Sequence, residues 1–521
     1  MKDDMNGAQS LIRTLVDSGV EVCFANPGTS EMHFVAALDS VPEMRGVLAL
    51  FEGVVTGAAD GYGRMAGKPA CTLLHLGPGL ANGGANLHNA RRAHTPLVNV
   101  VGDHALYHKG FDAPLESDID SLTGWTEGWS RTSTDTGKVG ADAAAAVAAA
   151  RALPGRTANL VLPADVSWGE GGVAAAPAPV PAPDAVPDSA LAAVAEVLGS
   201  GESTVLLLGS GATLERGLVA ASRIAAATGV KVLVETFPAR LERGAGLPAV
   251  ERLGYLAEQV QWQLTDVRHL VLAGATAPVS FFAYPGKASE LTPEGCAVHT
   301  LAALGSDVVD ALERLAESVA PGVAPVLQEP SRPALPSGEL TPQNWAEVIG
   351  ALLPEGAIVS DEANTSGLMI PMVTAGGPRH DVLTLTGGSI GQGLPVAVGA
   401  AVACPDRPVV ALQADGSAMY TISALWTMAR EQLDVTTVIL NNRAYAILRM
   451  ELGRVGAEGA GPVARSLLDI GGPDLDFVKL AEGMGVPATR ATTAEELAEQ
   501  FAAALAEPGP HLIDALVPSL I

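Results

Sequence analysis

The chain of 521 residues is long enough for about three domains of ordinary size. Its formal net charge of −26, from 31 basic and 57 acidic residues, argues against binding to nucleic acid or to anionic membranes. Four widely spaced cysteines form no CxxC pair, which indicates free thiols in a reducing cytoplasm. We see no signal-peptide pattern at the N-terminus and no charge-free apolar run of about 18 residues outside Gly/Ala-rich stretches, so we expect no membrane span.

Two stretches rich in proline and alanine divide the chain, Val173–Pro187 and Ala320–Pro342. Such composition is typical of extended linkers. The sequence therefore predicts three domains, over residues 1–172, 188–320 and 340–521. In each of them short β-rich runs alternate with Ala-rich helical stretches, which is the pattern of doubly wound parallel α/β sheets with crossover helices.

The predicted strands follow one another at short intervals in all three domains. An alanine run near residues 141–152 is predicted as a helix because strand-like residues flank it. Ligands of open α/β sheets bind at the carboxyl ends of the strands. The predicted strands are, in chain order, VEVCFANPG, GVLALFEG, ACTLLHLGPG, LVNVVGDH, ANLVLPAD, STVLLLGSGA, KVLVET, HLVLAGA, AIVSDEA, DVLTLTGG, PVVALQADG, VTTVILNN and HLIDALVP.

In the first domain, Glu52 ends an apolar run and precedes a predicted helix of small residues from Gly53 to Tyr62. A carboxylate among the apolar residues from Leu48 to Val55 is partly desolvated, which suits proton exchange near neutral pH. The alternative is an ordinary glutamate at a helix N-terminus, where the helix dipole favours negative charge.

In the middle domain, Gly209-Ser210-Gly211-Ala212 follows a predicted strand. A dinucleotide-binding loop of the Rossmann type has three spaced glycines and a later acidic residue. The third glycine is missing here, so we do not expect FAD in this domain.

In the last domain, Asp415 and Asn442 each stand at the end of a predicted strand, 27 positions apart (442 − 415). A carboxylate, an amide oxygen and a nearby backbone carbonyl suit Mg²⁺, which prefers oxygen ligands and often bridges to a phosphate. The dipeptides alone are more typical of a surface turn followed by an Asn-rich turn. The strand context favours the metal site.

The segment from Ala414-Asp415-Gly416 to Asn441-Asn442 resembles the cofactor-anchoring motif of thiamine diphosphate (ThDP)-dependent enzymes, in which Gly-Asp-Gly is followed at a similar distance by Asn-Asn. Ala414 replaces the first glycine of that pattern. The segment LALFEGVVTGAADGYGRMAG resembles the family's catalytic-glutamate segment, with Phe51 where the family often has histidine. The chain looks most like the group containing acetolactate synthase and benzoylformate decarboxylase, most strongly over residues 22–104 and 355–452.

The resemblance implies a set of ligands for the cofactor and its metal. Mg²⁺ would be held by Asp415, the side chain of Asn442 and the backbone carbonyl of Ala444. In GGSIGQGLP, Ile390 would be the aliphatic wedge under the cofactor, although it is also an ordinary core residue by type, and the Gly388 carbonyl would accept a hydrogen bond from the cofactor's 4′-amine. The other cofactor-binding residues would be Asn364, Thr365, Gly416, Ser417 and Tyr445.

The resemblance also implies catalytic residues in the first domain. Glu52 would activate the cofactor, and His75 and His104 would transfer protons. His104, together with His108, is equally compatible with a polar loop. Thr29 would contact the substrate carboxylate.

Phe282 is expected to bind substrate. Phe281, Phe282 and Tyr284 would shape the substrate pocket, or else pack in a core. Ala283 falls where benzoylformate decarboxylase has its second histidine, so a specialised benzoylformate decarboxylase is not expected.

The implied reaction is decarboxylation of a small 2-oxo acid that depends on ThDP and Mg²⁺. The product would be an aldehyde, or a 2-hydroxyketone or acetohydroxy acid after carboligation, as in acetolactate synthase. A homodimer would be the minimal active unit, with a homotetramer expected. The alternatives are a ThDP-dependent oxidase or CoA-adduct lyase, and a non-catalytic or regulatory ThDP-binding paralogue.

Overall fold

The computed structural model describes residues 5–457 and 461–519. Residues 1–4 of the predicted first domain, and residues 458–460 and 520–521 of the predicted last domain, lie outside this part. Three large sheets of parallel strands, with one antiparallel edge strand, and a two-stranded antiparallel pair make up the β-structure of the described residues. The predicted fold class, an α/β protein with three parallel sheets, is therefore confirmed.

The first sheet has six parallel strands in the order β3-β2-β4-β5-β7-β6, and β1 pairs with β8. All five strands predicted here are present, and the alanine run forms α6. The strands are β1 (Met5–Asn6), β2 (Val22–Ala25), β3 (Arg45–Leu48), β4 (Ala70–Leu74), β5 (Leu97–Asp103), β6 (Trp129–Thr132), β7 (Thr157–Pro163) and β8 (Glu170–Gly172). The helices are α1 (Gly7–Asp17), α2 (Met32–Leu38), α3 (Glu52–Ala66), α4 (Leu76–Arg92), α5 (Ile119–Gly124), α6 (Val139–Arg151) and α7 (Ala164–Trp168).

The second sheet has five parallel strands in the order β12-β10-β9-β13-β14. The remaining strand of this part of the chain, β11, pairs antiparallel with a strand of the third sheet. The strands are β9 (Thr204–Leu208), β10 (Lys231–Val234), β11 (Leu241–Arg243), β12 (Glu251–Arg252), β13 (His269–Ala273) and β14 (Ala297–Ala302). The helices are α8 (Asp188–Gly199), α9 (Glu215–Thr228), α10 (Ala257–Gln263) and α11 (Val308–Val319).

The third sheet has seven strands in the order β11-β16-β15-β17-β18-β20-β19. Its strands from the last part of the chain are β15 (Ile358–Glu362), β16 (His380–Thr384), β17 (Val409–Ala414), β18 (Val435–Asn441), β19 (Ala488–Ala491) and β20 (His511–Leu516). The helices are α12 (Asn344–Leu352), α13 (Ile370–Val373), α14 (Gly393–Ala403), α15 (Asp415–Ala418), α16 (Ala424–Glu431), α17 (Ala446–Arg454), α18 (Pro462–Ser466), α19 (Phe477–Gly483) and α20 (Ala494–Ala506).

Helices α3 and α14 join the first and third sheets through a close backbone contact. A Cβ added at Gly399 would lie 1.8 Å from the Ala58 carbonyl oxygen, and one added at Gly61 would lie 2.2 Å from the Val396 carbonyl oxygen. Only glycine leaves room for this approach. The contact positions the helix that begins at Glu52 against the third sheet.

The two Pro/Ala-rich segments, both described throughout, carry no helix or strand. This agrees with their predicted role as linkers, and the domain boundaries drawn from them stay predictions. Among the described residues, no helix combines the length and the apolar character needed to cross a bilayer.

Candidate functional site

The predicted catalytic residues of the first domain lie at one edge of its sheet. Glu52 follows β3, His75 follows β4 and His104 follows β5, while the turn that carries Thr29 follows β2. These four strands are neighbours in the order β3-β2-β4-β5. Because they are parallel, their carboxyl ends meet at the same edge, where α/β sheets bind ligands.

Glu52 is the first residue of α3 and is only 7% exposed. The Asn82 amide nitrogen donates a hydrogen bond to its Oε2 at 3.0 Å. Its Oε1 accepts no hydrogen bond from the described residues, and lies 3.3 Å from where a Cβ at Gly79 would be. The carboxylate is thus held in place through one oxygen, and the other is free to accept a proton or a hydrogen bond.

His75 is fixed by a buried acid that the sequence analysis did not single out. Its Nδ1 lies 2.8 Å from Oε2 of Glu31, whose side chain has no exposed surface. Glu31 also accepts hydrogen bonds from the Gly28 amide at 2.7 Å and the Ser30 hydroxyl at 2.6 Å. Thr29 is exposed on the same turn. Nothing in the local sequence distinguishes Glu31 from a surface glutamate, because its partner is 44 residues away.

The surroundings of His104 fit both of its predicted roles, a proton-transferring residue and a polar loop residue. Its backbone amide donates to Asp103, which also pairs with Lys109 at 2.7 Å. Its ring lies 5.3 Å from that of His108, and its Nε2 is buried without a hydrogen-bond partner among the described residues. An unpaired buried nitrogen is an available donor or acceptor, so His104 stays a candidate.

The predicted metal ligands come together at the carboxyl ends of β17 and β18. Asp415, which is 2% exposed, accepts hydrogen bonds from the Gly416 amide at 2.7 Å and the Arg443 amide at 2.6 Å. The Asn442 side-chain oxygen accepts from the Ala444 amide at 2.9 Å. The loop from Asn442 to Ala444 therefore wraps around the Asp415 carboxylate.

This arrangement fits a divalent cation. Burial raises the pKa of Asp415 to about 6, and no Lys, Arg or His of the described residues forms an ion pair with it. No cluster of three or more His, Cys, Asp or Glu side chains suited to a metal is present in that part of the chain. A site with one carboxylate and neutral oxygens suits Mg²⁺ that completes its coordination with a phosphate.

The predicted diphosphate-binding residues surround the same carboxylate. The Asn364 amide nitrogen donates to the Ser417 hydroxyl at 2.9 Å, and Thr365 follows Asn364 in the turn after β15. The Tyr445 ring packs on Gly416, where a Cβ would lie 2.4 Å from the ring. The structure thus brings these residues together, and their contact with a cofactor stays a prediction.

A buried glutamate holds the loop that carries the predicted wedge residue. Glu362 accepts hydrogen bonds from the amides of Gly391 and Gly393, both at 2.7 Å, and from the side chain of Gln413 at 2.9 Å. Burial raises the pKa of its carboxyl group. Ile390, half-buried, directly precedes Gly391. Asn364 and Thr365, the predicted diphosphate ligands, follow in the turn after β15, whereas Glu362 itself faces the loop that carries Ile390.

We call the segment GGSIGQGLP around Ile390, residues 387–395, the wedge loop. It also contacts the first domain and the middle domain. Asn86 on α4 donates through its side-chain nitrogen to the carbonyls of Gly53 at 2.7 Å and Gly391 at 3.3 Å. Gly388 has φ +72°, and a Cβ there would lie 2.5 Å from the Phe281 ring. The loop therefore lies between the N-terminus of α3 and an aromatic side chain of the middle domain.

The three aromatic candidates for the substrate pocket differ in exposure: Phe281 and Phe282 are exposed, and Tyr284 is buried. Phe281 and Phe282 are 41% and 54% exposed, so neither is a core residue of the chain. Tyr284 is buried beneath the Arg454 guanidinium, 4.8 Å from its ring centroid. The packing interpretation holds for Tyr284, and Phe282 remains available to a substrate.

A carboxylate lies at the glycine turn of the middle domain, where the phosphate of a dinucleotide would have to bind. Glu235, at the end of β10, accepts a hydrogen bond from the Ser210 backbone amide, and burial raises its pKa to about 7. A phosphate at this turn would need that amide and would meet a group that is negative when ionised. The local chemistry therefore gives no support to dinucleotide binding.

Two family models match the chain at the regions just described. Residues 5–127 match the N-terminal, and residues 365–515 the C-terminal, TPP binding domain of thiamine pyrophosphate enzymes. A Mycobacterium tuberculosis protein named "Putative acetolactate synthase large subunit IlvX" is 64% identical over 99% of this chain and 100% of its own. Benzoylformate decarboxylase of Pseudomonas aeruginosa is 32% identical over 95% of this chain and 96% of its own.

A solved structure agrees with this assignment. The ThDP-dependent 4-hydroxybenzoylformate decarboxylase of Rhodococcus jostii RHA1 is 26% identical, has a TM-score of 0.86 and covers 99% of both chains. Together with the full-length sequence relatives, this likeness confirms the resemblance inferred from the motifs. The chain belongs to the thiamine pyrophosphate enzyme family, which includes ThDP-dependent decarboxylases and acetolactate synthases.

Proposed function

We propose that the protein decarboxylates a 2-oxo acid with bound ThDP and Mg²⁺, releasing an aldehyde or joining the remaining fragment to a second carbonyl compound. The observation that carries this proposal is the buried Asp415 carboxylate, which has no cationic partner in the described chain and is enclosed by the Asn442–Ala444 loop. A buried carboxylate without such a partner is costly unless a cation binds it.

Each group of residues has a defined task in this proposal. Asp415, Asn442 and the Ala444 carbonyl hold Mg²⁺, and Asn364, Thr365 and Ser417 donate to the diphosphate. Bound ThDP supplies the electron sink for cleavage of the bond to the substrate carboxylate. The chain's own contribution is to hold this group, to exclude water and to move protons.

Proton transfer falls to two residues of the first sheet. Glu52 exchanges a proton through Oε1 while Asn82 holds Oε2. His75 acts through Nε2, because Nδ1 is held by Glu31. An imidazole can serve as acid and base near neutral pH.

We further propose a homodimer as the minimal active unit, assembling into a tetramer, with Glu52 of one subunit acting on the cofactor held by the other. Apolar side chains stand exposed beside both sheet edges: Leu50 is 51% exposed, Leu368 70% and Tyr420 54%. Such groups are expected beneath a partner subunit. The four cysteines are free thiols, which supports a cytoplasmic location.

The experiment starts with calorimetric titration of the purified protein with ThDP in the presence and absence of Mg²⁺. We expect ThDP to bind only with Mg²⁺, and Asp415→Asn to abolish this Mg²⁺-dependent binding. A screen of 2-oxo acids by CO₂ release, followed by product analysis, then separates aldehyde release from carboligation. Absence of ThDP binding would overturn the proposal.

Glu52→Gln tests the catalytic role apart from the binding role. We expect loss of CO₂ release with unchanged ThDP affinity, since the variant keeps the side-chain volume and the Asn82 contact. Unchanged turnover would remove Glu52 from its role. Binding of ThDP without turnover of any 2-oxo acid by the unaltered protein would favour the non-catalytic alternative.

A further inference from the structure

The segment between β5 and α5, residues 104–118, connects the surroundings of the two histidines predicted to transfer protons. His104 is its first residue. Near its other end, a Cβ added at Gly77 would lie 2.2 Å from the Ser117 hydroxyl oxygen, and Gly77 is in the first turn of α4, whose N-cap is His75. The segment, which we name the histidine loop, therefore starts at one histidine and returns to the other.

The strand that leads into the histidine loop also packs on the support of His75. A Cβ added at Gly102 would lie 1.6 Å from Oε1 of Glu31, the buried acid whose Oε2 lies 2.8 Å from Nδ1 of His75. Only glycine leaves room for this approach. A displacement at either end of the loop is therefore transmitted to the groups that hold His75.

One lysine joins the start of the histidine loop to its end. The Lys109 ammonium donates to Oδ2 of Asp103 at 2.7 Å and pairs with Oε1 of Glu116 at 2.9 Å. The other oxygen of Asp103 accepts a hydrogen bond from the His104 backbone amide at 2.8 Å. We name Asp103, Lys109 and Glu116 the charge triad. It closes a ring of chain at the point where His104 leaves the strand.

The two carboxylates of the triad depend on this one ammonium. Their side chains are only 4% and 16% exposed, and neither forms an ion pair with another cation in the described part of the chain. Oε2 of Glu116 is buried without a hydrogen-bond partner among these residues. Exposed ion pairs contribute little to stability, but loss of the cation from a largely buried pair leaves like charges facing each other.

The ring of His104 has no hydrogen bond of its own to fix it. Its Nε2 is buried without a partner among the described residues, and the ring packs on His108, with 5.3 Å between the centroids. His108 belongs to the same loop. The position of the His104 ring therefore depends on the conformation of the loop, which the charge triad holds.

From these contacts we infer that Lys109 is a positioning residue for proton transfer. Its ammonium holds the histidine loop closed, which places the His104 ring and supports the residues that surround His75. Lys109 itself touches neither histidine ring through a hydrogen bond or ion pair. The consequence for turnover rests on the proposed function, whereas the anchoring of the loop does not.

Hydrogen exchange of the protein loaded with ThDP and Mg²⁺ tests the anchoring. Lys109→Met removes the charge and keeps an unbranched side chain of similar length. We expect the amides of residues 104–118 to exchange at least about ten-fold faster in this variant, with ThDP affinity unchanged. Glu116→Gln, which leaves the Asp103–Lys109 pair in place, should give a smaller increase, and it replaces Lys109→Met if that variant does not fold.

Turnover tests the positioning role, with the 2-oxo acid that gives the fastest CO₂ release in the screen described above. Lys109→Met should lower kcat about 10- to 100-fold, because small displacements of catalytic groups have effects of this size, and should change KM little. Lys109→Arg keeps the charge and can reach both carboxylates, so its kcat should return to within about three-fold of the unaltered protein.

Lys68→Met is the matched control. Lys68 is a lysine of equal exposure, 34% against 35%, and it pairs with Glu21 at 2.7 Å in the same domain. It precedes β4, at the edge of the sheet opposite His75, and its partner is 55% exposed. This variant should leave both the loop exchange and kcat unaltered.

The outcomes separate this inference from the proposal beneath it. Unchanged exchange of residues 104–118 in Lys109→Met would show that the triad does not hold the loop. Faster exchange with unchanged kcat, or a Lys109→Arg variant no more active than Lys109→Met, would remove the positioning role while the proposed function stands. If the unaltered protein binds no ThDP or turns over no 2-oxo acid, the proposed function fails and the positioning role fails with it.

Discussion

The wedge loop depends on one buried carboxylate, and Glu362→Gln tests that dependence. Glu362 accepts a hydrogen bond from Gly391 through Oε1 and two, from Gly393 and Gln413, through Oε2. Glutamine keeps the volume but replaces one oxygen with an NH₂ group. If its oxygen takes the position that serves two donors, the Gly391 amide loses its acceptor and faces another donor.

The cost of that loss follows from the number of unpaired donors. One buried N–H without a partner costs about 1–3 kcal/mol. If the loop is released in the free protein and must be ordered again by the cofactor, ThDP affinity falls by the same energy, which is about 5- to 150-fold. Alanine would leave all three donors unpaired at about 3–9 kcal/mol, which is comparable to the stability of a whole domain. Glutamine is therefore the usable variant.

The assay is calorimetric titration with ThDP at saturating Mg²⁺, with Glu355→Gln as the control. Glu355 is exposed and precedes the same strand, β15. Removing a buried charge relieves its desolvation cost, so the free energy of unfolding of the variant can stay constant while ThDP affinity drops. The same ThDP affinity in Glu362→Gln and in the control would refute the idea that this carboxylate orders the wedge loop.

Three further predictions follow from other parts of the structure. Because Glu31 fixes the predicted catalytic histidine, Glu31→Gln should lower kcat/KM about 10²-fold, while the calorimetric ThDP affinity stays unchanged. Burial raises the pKa of Glu235 from 4.5 to about 7. Because the pKa of this carboxyl group is higher in the folded protein than in the unfolded chain, its ionisation progressively destabilises the fold as pH rises from about 4.5 through about 7. Glu235→Gln should therefore stabilise β9 and β10 against hydrogen exchange by up to about 3 kcal/mol at pH 8 and by almost nothing at pH 4.5. An equal gain at both pH values would contradict this. Gly399→Ala places a methyl group 1.8 Å from the Ala58 carbonyl oxygen and should lower the melting temperature, at a cost of about 1–3 kcal/mol or more, whereas Gly453→Ala, with open space around it, should not.

The sequence was sufficient for the parts of the fold that depend on local pattern. Central strands such as β17 and β18 are continuous apolar runs, because parallel strands are covered on both faces, and they were predicted with Asp415 and Asn442 at their ends. The strands that were not predicted include β6, β14 and β19. Each lies at the edge of its sheet, and its exposed residues carry no continuous apolar pattern.

The residues that hold the site in place could not be predicted in the same way. Glu31 meets His75 across 44 residues, and Glu362 meets Gly391 across 29. Phe281 reaches Gly388 from a different domain. In each case the role depends on a tertiary contact, and neither residue type nor local spacing carries that information. The family motif marks the groups expected to touch the cofactor and leaves the groups that position them unmarked.

Three departures from the family pattern favour the non-catalytic alternative, namely Ala414, Phe51 and Asp103, which stands where acetolactate synthases usually have glutamine. The geometry bears on the first two. Ala414 has φ −72° and ψ 145°, an extended conformation that any residue adopts, so the missing glycine imposes no strain on the turn that presents Asp415. Phe51 packs its ring on Gly53, where a Cβ would lie 2.4 Å from it, and Asn82 supplies the hydrogen bond that holds Glu52. A histidine at position 51 is therefore not needed to orient the glutamate. Since neither substitution disturbs the placement of a predicted catalytic or metal-binding oxygen, the case for an inactive paralogue would have to rest on kinetics rather than on these two residues.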